Sequence, residues 1–365
     1  NPPVQAWAAW ELYQMESEKS GRQDVSFLKR CFHKLMINFA WWVNKVDSSG
    51  NNIFEGGFLG LDNITVIDRS EGIPGGGKLE QSDGTGWMGF FCLKMMRIAI
   101  ELAKHDRDYE SLAVKFFEHF IYIAAALHRS GSRDVQIWDD QDGFFYDVLS
   151  HPDGSHQKIG VRSLVGIIPI FAVDWIDQSE LDHLKEFSVS IEWFLNNRKD
   201  LSKYCITRKD SNGKKGFLMS LMNEDQMGRV LNRAWDPDEF RSPYGLRSLS
   251  KYHEEHPFEL FDQRLSYDPS ECRMKIKGGN SNWRGPIWFP TTYLFIETLD
   301  KLHHILGEEM EIQAPGEASV HLSEMVHYFS HALLSLFRKV DGKRPIHGQN
   351  TLFAEDEAFG DQLLF

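Results

Sequence analysis

Long apolar runs are missing from this sequence. No uninterrupted hydrophobic stretch approaches the roughly 18 to 20 residues of a membrane-spanning helix, so a membrane is not an expected partner. Basic charge is in short supply as well. Lysine and arginine number 40 against 53 aspartates and glutamates, a formal net charge of −13. A phosphate backbone calls for a positive surface, so nucleic acid is not expected either. Cysteine is sparse: Cys31, Cys92, Cys205 and Cys272 lie far apart with no C-x-x-C pairing. That spacing argues against a thiolate metal site, and the apolar helical settings of Cys31 and Cys92 predict buried free thiols. The usual catalytic signatures are absent too. There is no G-x-S-x-G, no H-E-x-x-H among 15 histidines, and "PGGGKLEQ" lacks the GK[ST] ending of a phosphate loop.

What remains is a large, aromatic-rich chain of 365 residues with 11 Trp, 26 Phe and 10 Tyr. Helical periodicity recurs along it. Apolar positions step by three and four over 27–46, 109–127, 179–195, 290–306 and 322–337. Gly307 is a natural stop for the fourth of these. Two further segments, 87–102 ("WMGFFCLKMMRIAIEL") and 161–176 ("VRSLVGIIPIFAVDWI"), are apolar nearly all round and are predicted to be helices buried on every face. One-sided helices alternating with wholly buried ones suggest an all-α toroid, an inner ring wrapped by an outer one. Such a closed ring is one way to keep this length in a single domain spanning 1–365. Strand signals are few and short; "GFFYDVL" at 143–149 is the clearest.

Three long glycine-bearing loops, 47–86, 131–160 and 267–289, are the places to look for chemistry. The first contains "GGFLGLDN", in which Asp62 stands as a lone carboxylate among apolar neighbours, and it ends in "LEQSDGTGW". There Ser82 or Asp83 reads as an N-cap, while Glu80 and Gln81 read equally as groups facing a ligand. The second contains "IWDDQDGFFYD". Asp139, Asp140 and Asp142 lack the one-turn spacing of a helical metal motif, and with Gly143 they read as an acidic turn. The third, "GGNSNWRGPIWFP", puts Trp283 and Trp288 around Arg284, Gly285 and Pro286. Two indoles and a guanidinium fork suit a polyhydroxylated ligand, and they equally suit a packed Trp-Pro corner. Carboxylates beside aromatics favour glycosyl transfer or hydrolysis.

Together these motifs carry a resemblance. "NIFEGGFLGLDNI" at 52–64, "LEQSDGTGWM" at 79–88, "IWDDQDGFFYD" at 137–147 and "GGNSNWRGPIWFP" at 278–290 are similar to segments of the glycoside hydrolase family 63 group. That group includes processing α-glucosidase I and mannosylglycerate hydrolase-like enzymes, and the likeness spans nearly the whole chain. The resemblance implies an (α/α)6 barrel with long loops at one end, and inverting hydrolysis of an α-glycosidic bond without a metal or organic cofactor. It implies that Asp62 is the general acid, and that Gly60, Gln81, Trp283, Arg284, Gly285 and Trp288 serve the sugar site.

An inverting enzyme also needs a second carboxylate to activate water. In the resembling branch that glutamate lies in a segment that would follow Leu363-Leu364-Phe365. The expectation is therefore a fragment, lacking an N-terminal region and the end of the barrel, that hydrolyses poorly or not at all by itself. Two other classes stand beside this one: a non-catalytic glycan-binding barrel, and a magnesium-dependent terpenoid-type synthase using Asp139–Asp142. The sequon Asn63-Ile64-Thr65 beside the acid, with the expected free thiols, points to the cytoplasm.

Overall fold

Helices dominate the computed structural model, which describes residues 2–44, 54, 66–67, 73–128, 136–211, 213–269, 287–348 and 351–359. In chain order they are α1 (Gln5–Ser20), α2 (Val25–Val43), α3 (Ser82–Ala103), α4 (Asp108–His128), α5 (Gln178–Leu181) and α6 (Lys185–Asn197). Then follow α7 (Lys199–Ser202), α8 (Glu224–Trp235), α9 (Phe289–Leu306), α10 (Leu322–Ser335) and α11 (Leu352–Glu355). The periodic segments at 27–46, 109–127, 290–306 and 322–337 thus fold as α2, α4, α9 and α10. Every residue of α3 is buried, as its want of a polar face predicts. None of the helices is long and apolar enough to cross a membrane, among the described residues.

Two helix expectations fail for readable reasons. The segment 161–176 is buried except at Arg162 and Trp175, which are half-buried, but it is not an α-helix. It runs through 3-10 turns at Leu164–Gly166 and Ile168–Phe171 into a strand, Val173–Asp177. A short apolar run has no period that separates buried helix from buried strand. Ser163 caps the first turn by accepting from the Val165 N–H at 3.3 Å. Gly166 lies so close to the second loop that a Cβ there would sit 2.3 Å from the Phe145 carbonyl oxygen. The segment 179–195 is broken rather than continuous. Asp177 and Glu180 form a capping box on α5, the chain turns at 182–184, and Glu110 of α4 then caps α6. Its Oε1 accepts the Glu186 and Phe187 N–H groups at 2.7 and 3.2 Å.

Strands are more numerous than expected, though short. Lys78–Glu80, Asp147–Ser150 and His156–Ile159 form an antiparallel sheet with Glu80 opposite Val148 and Ser150 opposite His156. Residues 147–159 of the second loop are therefore a hairpin. A second antiparallel sheet sets Lys214–Ser220 between Val173–Asp177 and Ile206–Ser211.

Although α3 has no polar face, Lys94, Arg97 and Glu101 lie along it in a buried seam. Arg97 donates to Asp174 (3.2 and 3.3 Å) and, through Nη1, to both oxygens of Glu180 (2.9 and 3.0 Å). Burial alone would raise the Asp174 carboxyl, but the guanidinium outweighs it and holds the group down at about 2. Lys94 is 2 % exposed. Burial, reinforced by Lys301, lowers its ammonium to about 7 against the pull of Asp174 and Glu11. From α1, Tyr13 donates to Glu101 at 3.0 Å, and Trp7 Nε1 reaches both oxygens of Glu297 on α9 at 3.1 and 2.9 Å. This seam ties α1 to α3 and α9.

Candidate functional site

The head of α3 is built from backbone clamps. Gln81 is extended and precedes the first helical residue. Its N–H donates to the Phe54 carbonyl at 3.1 Å, and its own carbonyl accepts from the Thr85 N–H at 3.2 Å. The Thr85 hydroxyl donates to that same Gln81 carbonyl at 2.6 Å and accepts from the Phe54 N–H at 3.2 Å. Neither Ser82 nor Asp83 acts as the N-cap. A second carboxylate joins Asp83 at this helix end from the second loop: Asp147 Oδ1 accepts from the Ser82 N–H at 2.8 Å, a placement that the helix dipole favours. The Ser82 hydroxyl instead bonds the Val165 carbonyl at 3.3 Å.

Gln81, within this clamped frame, is completely buried, yet among the described residues neither its Oε1 nor its Nε2 finds a hydrogen-bond partner. The indole Nε1 of Trp87, 1 % exposed and 5.7 Å from Phe171 by ring centroids, is also unpaired. Each buried polar group without a partner costs on the order of 1–3 kcal/mol, so native chains keep few of them. Next to Gln81, Glu80 uses Oε1 to accept from the Ser150 hydroxyl at 2.6 Å, while its Oε2 is buried and unpaired. His156 Nδ1 meets the same hydroxyl at 2.9 Å. Glu80 stands opposite Val148 in its sheet, one residue before Gln81.

Trp288, half-buried, leads α9. Its carbonyl accepts from Thr291 Oγ1 at 2.9 Å and Thr292 Oγ1 at 3.2 Å. Ile287 before it pairs with Arg247, whose guanidinium is fixed by the Pro237 carbonyl at 2.9 Å and the Tyr267 hydroxyl at 3.2 Å. The turn Ile168–Phe171 packs on both helices. Pro169 lies against Gly86, where a Cβ would come within 3.0 Å of its backbone, and α9 packs on the same turn. Of the expected site residues, Gln81 and Trp288 thus take the leading positions of α3 and α9. Asp62, Gly60, Trp283, Arg284 and Gly285 lie outside the described residues.

The carboxylates of the acidic turn are all engaged by protein donors. Asp139 accepts the N–H groups of Gln141 and Asp142 and the Lys158 ammonium at 2.7 Å. Asp140 takes the Trp138 indole N–H at 2.7 Å, and Asp142 takes the Tyr146 hydroxyl at 2.7 Å. Among the described residues no three His, Cys, Asp or Glu side chains are arranged to hold a metal. Cys31, Cys92 and Cys205 are free thiols; Cys92 is buried, whereas Cys31 is only half-buried, because its place on α2 is at the edge of the apolar stripe.

Sequence reasoning missed Thr85, Phe54 and Asp147 as parts of the site. The four-residue step from Gln81 to Thr85 was a usable signal, since threonine hydroxyls turn back onto the carbonyl of residue i−4. Phe54 and Asp147 sent no signal, being 31 and 65 residues from their partners.

No family model matches the sequence. The chain is similar over its whole length to the uncharacterized protein YMR196W of Saccharomyces cerevisiae, at 41% identity over 389 residues. It spans 35% of that protein's length, about a third. Among solved structures it is similar to an uncharacterized conserved protein from Thermus thermophilus, with 13% identity and a TM-score of 0.48. That match covers 91% of this chain and 76% of the other.

Proposed function

We propose that this chain is the sugar-binding and catalytic barrel of an inverting α-glucosidase-like glycoside hydrolase of the family 63 type, folded as an (α/α)6 toroid. One observation carries the reading: the Gln81 amide is buried at the head of a wholly buried helix with both polar atoms unpaired among the described residues. A sugar's hydroxyl groups donate and accept at once, so one such ligand satisfies the carbonyl and the NH2 together. Gln81 is also where the resemblance puts a sugar contact. In this reading Trp283 and Trp288 supply stacking faces and Arg284 a hydrogen-bonding fork. Gly60 and Gly285 let the ligand approach the backbone.

Asp62, kept protonated by apolar neighbours, donates to the glycosidic oxygen. Water activated by a second carboxylate, roughly 6.5–9.5 Å away, attacks the anomeric carbon from the opposite face. The free thiols favour a cytoplasmic setting. The test is glucose release from α-linked glucose disaccharides by the full-length polypeptide, with and without Asp62→Asn. A loss of about 100-fold or more is expected. Turnover untouched by the substitution would sink the general-acid assignment, and saturable sugar binding without turnover would make the protein a glycan-binding barrel instead.

A further inference from the structure

We infer that Thr85 is a positioning residue that holds the Gln81 amide ready for the hydroxyl groups of a ligand. The inference deepens the proposed function, because it takes Gln81 as the contact. A threonine hydroxyl has one proton to give and two lone pairs to receive. Here the proton goes to the Gln81 carbonyl at 2.6 Å, and a lone pair receives the Phe54 N–H at 3.2 Å. The Gln81 N–H closes the circuit on the Phe54 carbonyl at 3.1 Å.

Three residues are thereby joined in a ring of hydrogen bonds with no water needed. Thr85 and Gln81 are 0 % exposed and Phe54 is 1 % exposed. The helix itself does not require the hydroxyl, because the Gln81 carbonyl already receives the ordinary helical bond from the Thr85 N–H. What the hydroxyl adds is a link from the Gln81 carbonyl to the Phe54 N–H, beside the bond that the Gln81 N–H already makes to the Phe54 carbonyl. That link fixes the Gln81 backbone and therefore the position from which its unpaired amide projects. A binding group is useful when its support is rigid before the ligand arrives, and the unpaired amide is what such a support leaves free.

The bland reading makes Thr85 a stabilising threonine that satisfies one buried N–H. Three variants separate the two: Thr85→Val keeps the shape and removes the hydroxyl, Thr85→Ser keeps the hydroxyl, and Gln81→Leu removes the amide. With selective nitrogen-15 labelling of glutamine, the Gln81 NH2 pair is identified by its disappearance in Gln81→Leu. Wild type and Thr85→Ser are expected to show one ordered pair. Thr85→Val is expected to show it broadened or shifted to the exposed-amide position. An unchanged pair in Thr85→Val overturns the inference, whether or not the protein turns over sugar.

With an α-linked glucose disaccharide, Thr85→Val should raise KM about tenfold with a smaller change in kcat. Thr85→Ser should restore it, and in the Gln81→Leu background Thr85→Val should add nothing. Equal effects in both backgrounds would mean a purely structural threonine. A full-length wild-type polypeptide without turnover removes the hydrolase reading, and the NMR arm then decides the role of Thr85 alone.

Discussion

Replacing Lys94 with methionine should stabilise the protein, and by an amount that shrinks as the pH rises. The ammonium is 2 % exposed and drops from an ordinary 10.5 to about 7. The difference, about 3.5 units at about 1.36 kcal/mol each, makes the charged form about 5 kcal/mol worse in the folded state than in the unfolded one. The sign follows from proton binding. Between about 7 and 10.5 the unfolded chain holds a proton on Lys94 that the folded chain does not, so stability climbs with pH across that window. Below about 7 both states are protonated and the whole penalty applies.

Methionine has a similar linear shape and no charge, so Lys94→Met removes this penalty, in which the attraction to Asp174 and Glu11 is already counted, at the cost of an imperfect fit of the thioether. We expect a net gain of about 2 kcal/mol at pH 7. Urea unfolding of wild type and variant at pH 6, 7, 8 and 9, followed by tryptophan fluorescence, measures it. The gap should hold steady from 6 to 7 and then close by about 1.4 kcal/mol per pH unit. A gap that stays constant from pH 6 to 9, or a variant destabilised at every pH, would refute the picture of a buried, readily neutralised lysine.

Two further outcomes are expected. Gln81→Leu should raise the unfolding midpoint by the equivalent of about 1–2 kcal/mol while weakening sugar binding about tenfold, a trade between stability and function readable by calorimetry and ligand titration together. His253 should stay neutral down to acid pH: burial lowers it to about 4, while its Nε2 accepts the Arg162 N–H at 2.8 Å. The unfolded chain binds that proton first, so stability should fall as pH drops from about 6.5 toward 4, by up to about 3 kcal/mol. His253→Gln should flatten the slope in urea titrations across that range.

Much of the architecture was legible where the physics is local. The all-round apolarity of α3 announced its burial, and three- and four-residue steps found α2, α4, α9 and α10. Local pattern ran out where tertiary partners decide. The apolar run at 161–176 could not declare itself strand or turn, because what settles it is Gly166 pressed on Phe145 and the pairing of Val173 with Ser220. The break before Lys185 depends on Glu110, a residue 76 positions away from the N–H it first caps. The site divides the same way. Gln81 and Trp288 were visible as motif members, but that Gln81 is the unpaired group is a property of its surroundings.

The Asp147 carboxylate at the head of α3 bears on how the chain reaches this state. A helix that owns no cap of its own, and no face that water tolerates, has little reason to persist alone. Its first turn is completed by Asp147, and Asp147 arrives only when the strand Asp147–Ser150 has paired with Lys78–Glu80. The head of α3 is thus expected to form late in folding, because it waits on a contact spanning 65 residues. Its amide protons should gain protection from exchange together with those of the hairpin, as one cooperative unit, and any lesion in that hairpin will be felt first as a loosened helix head.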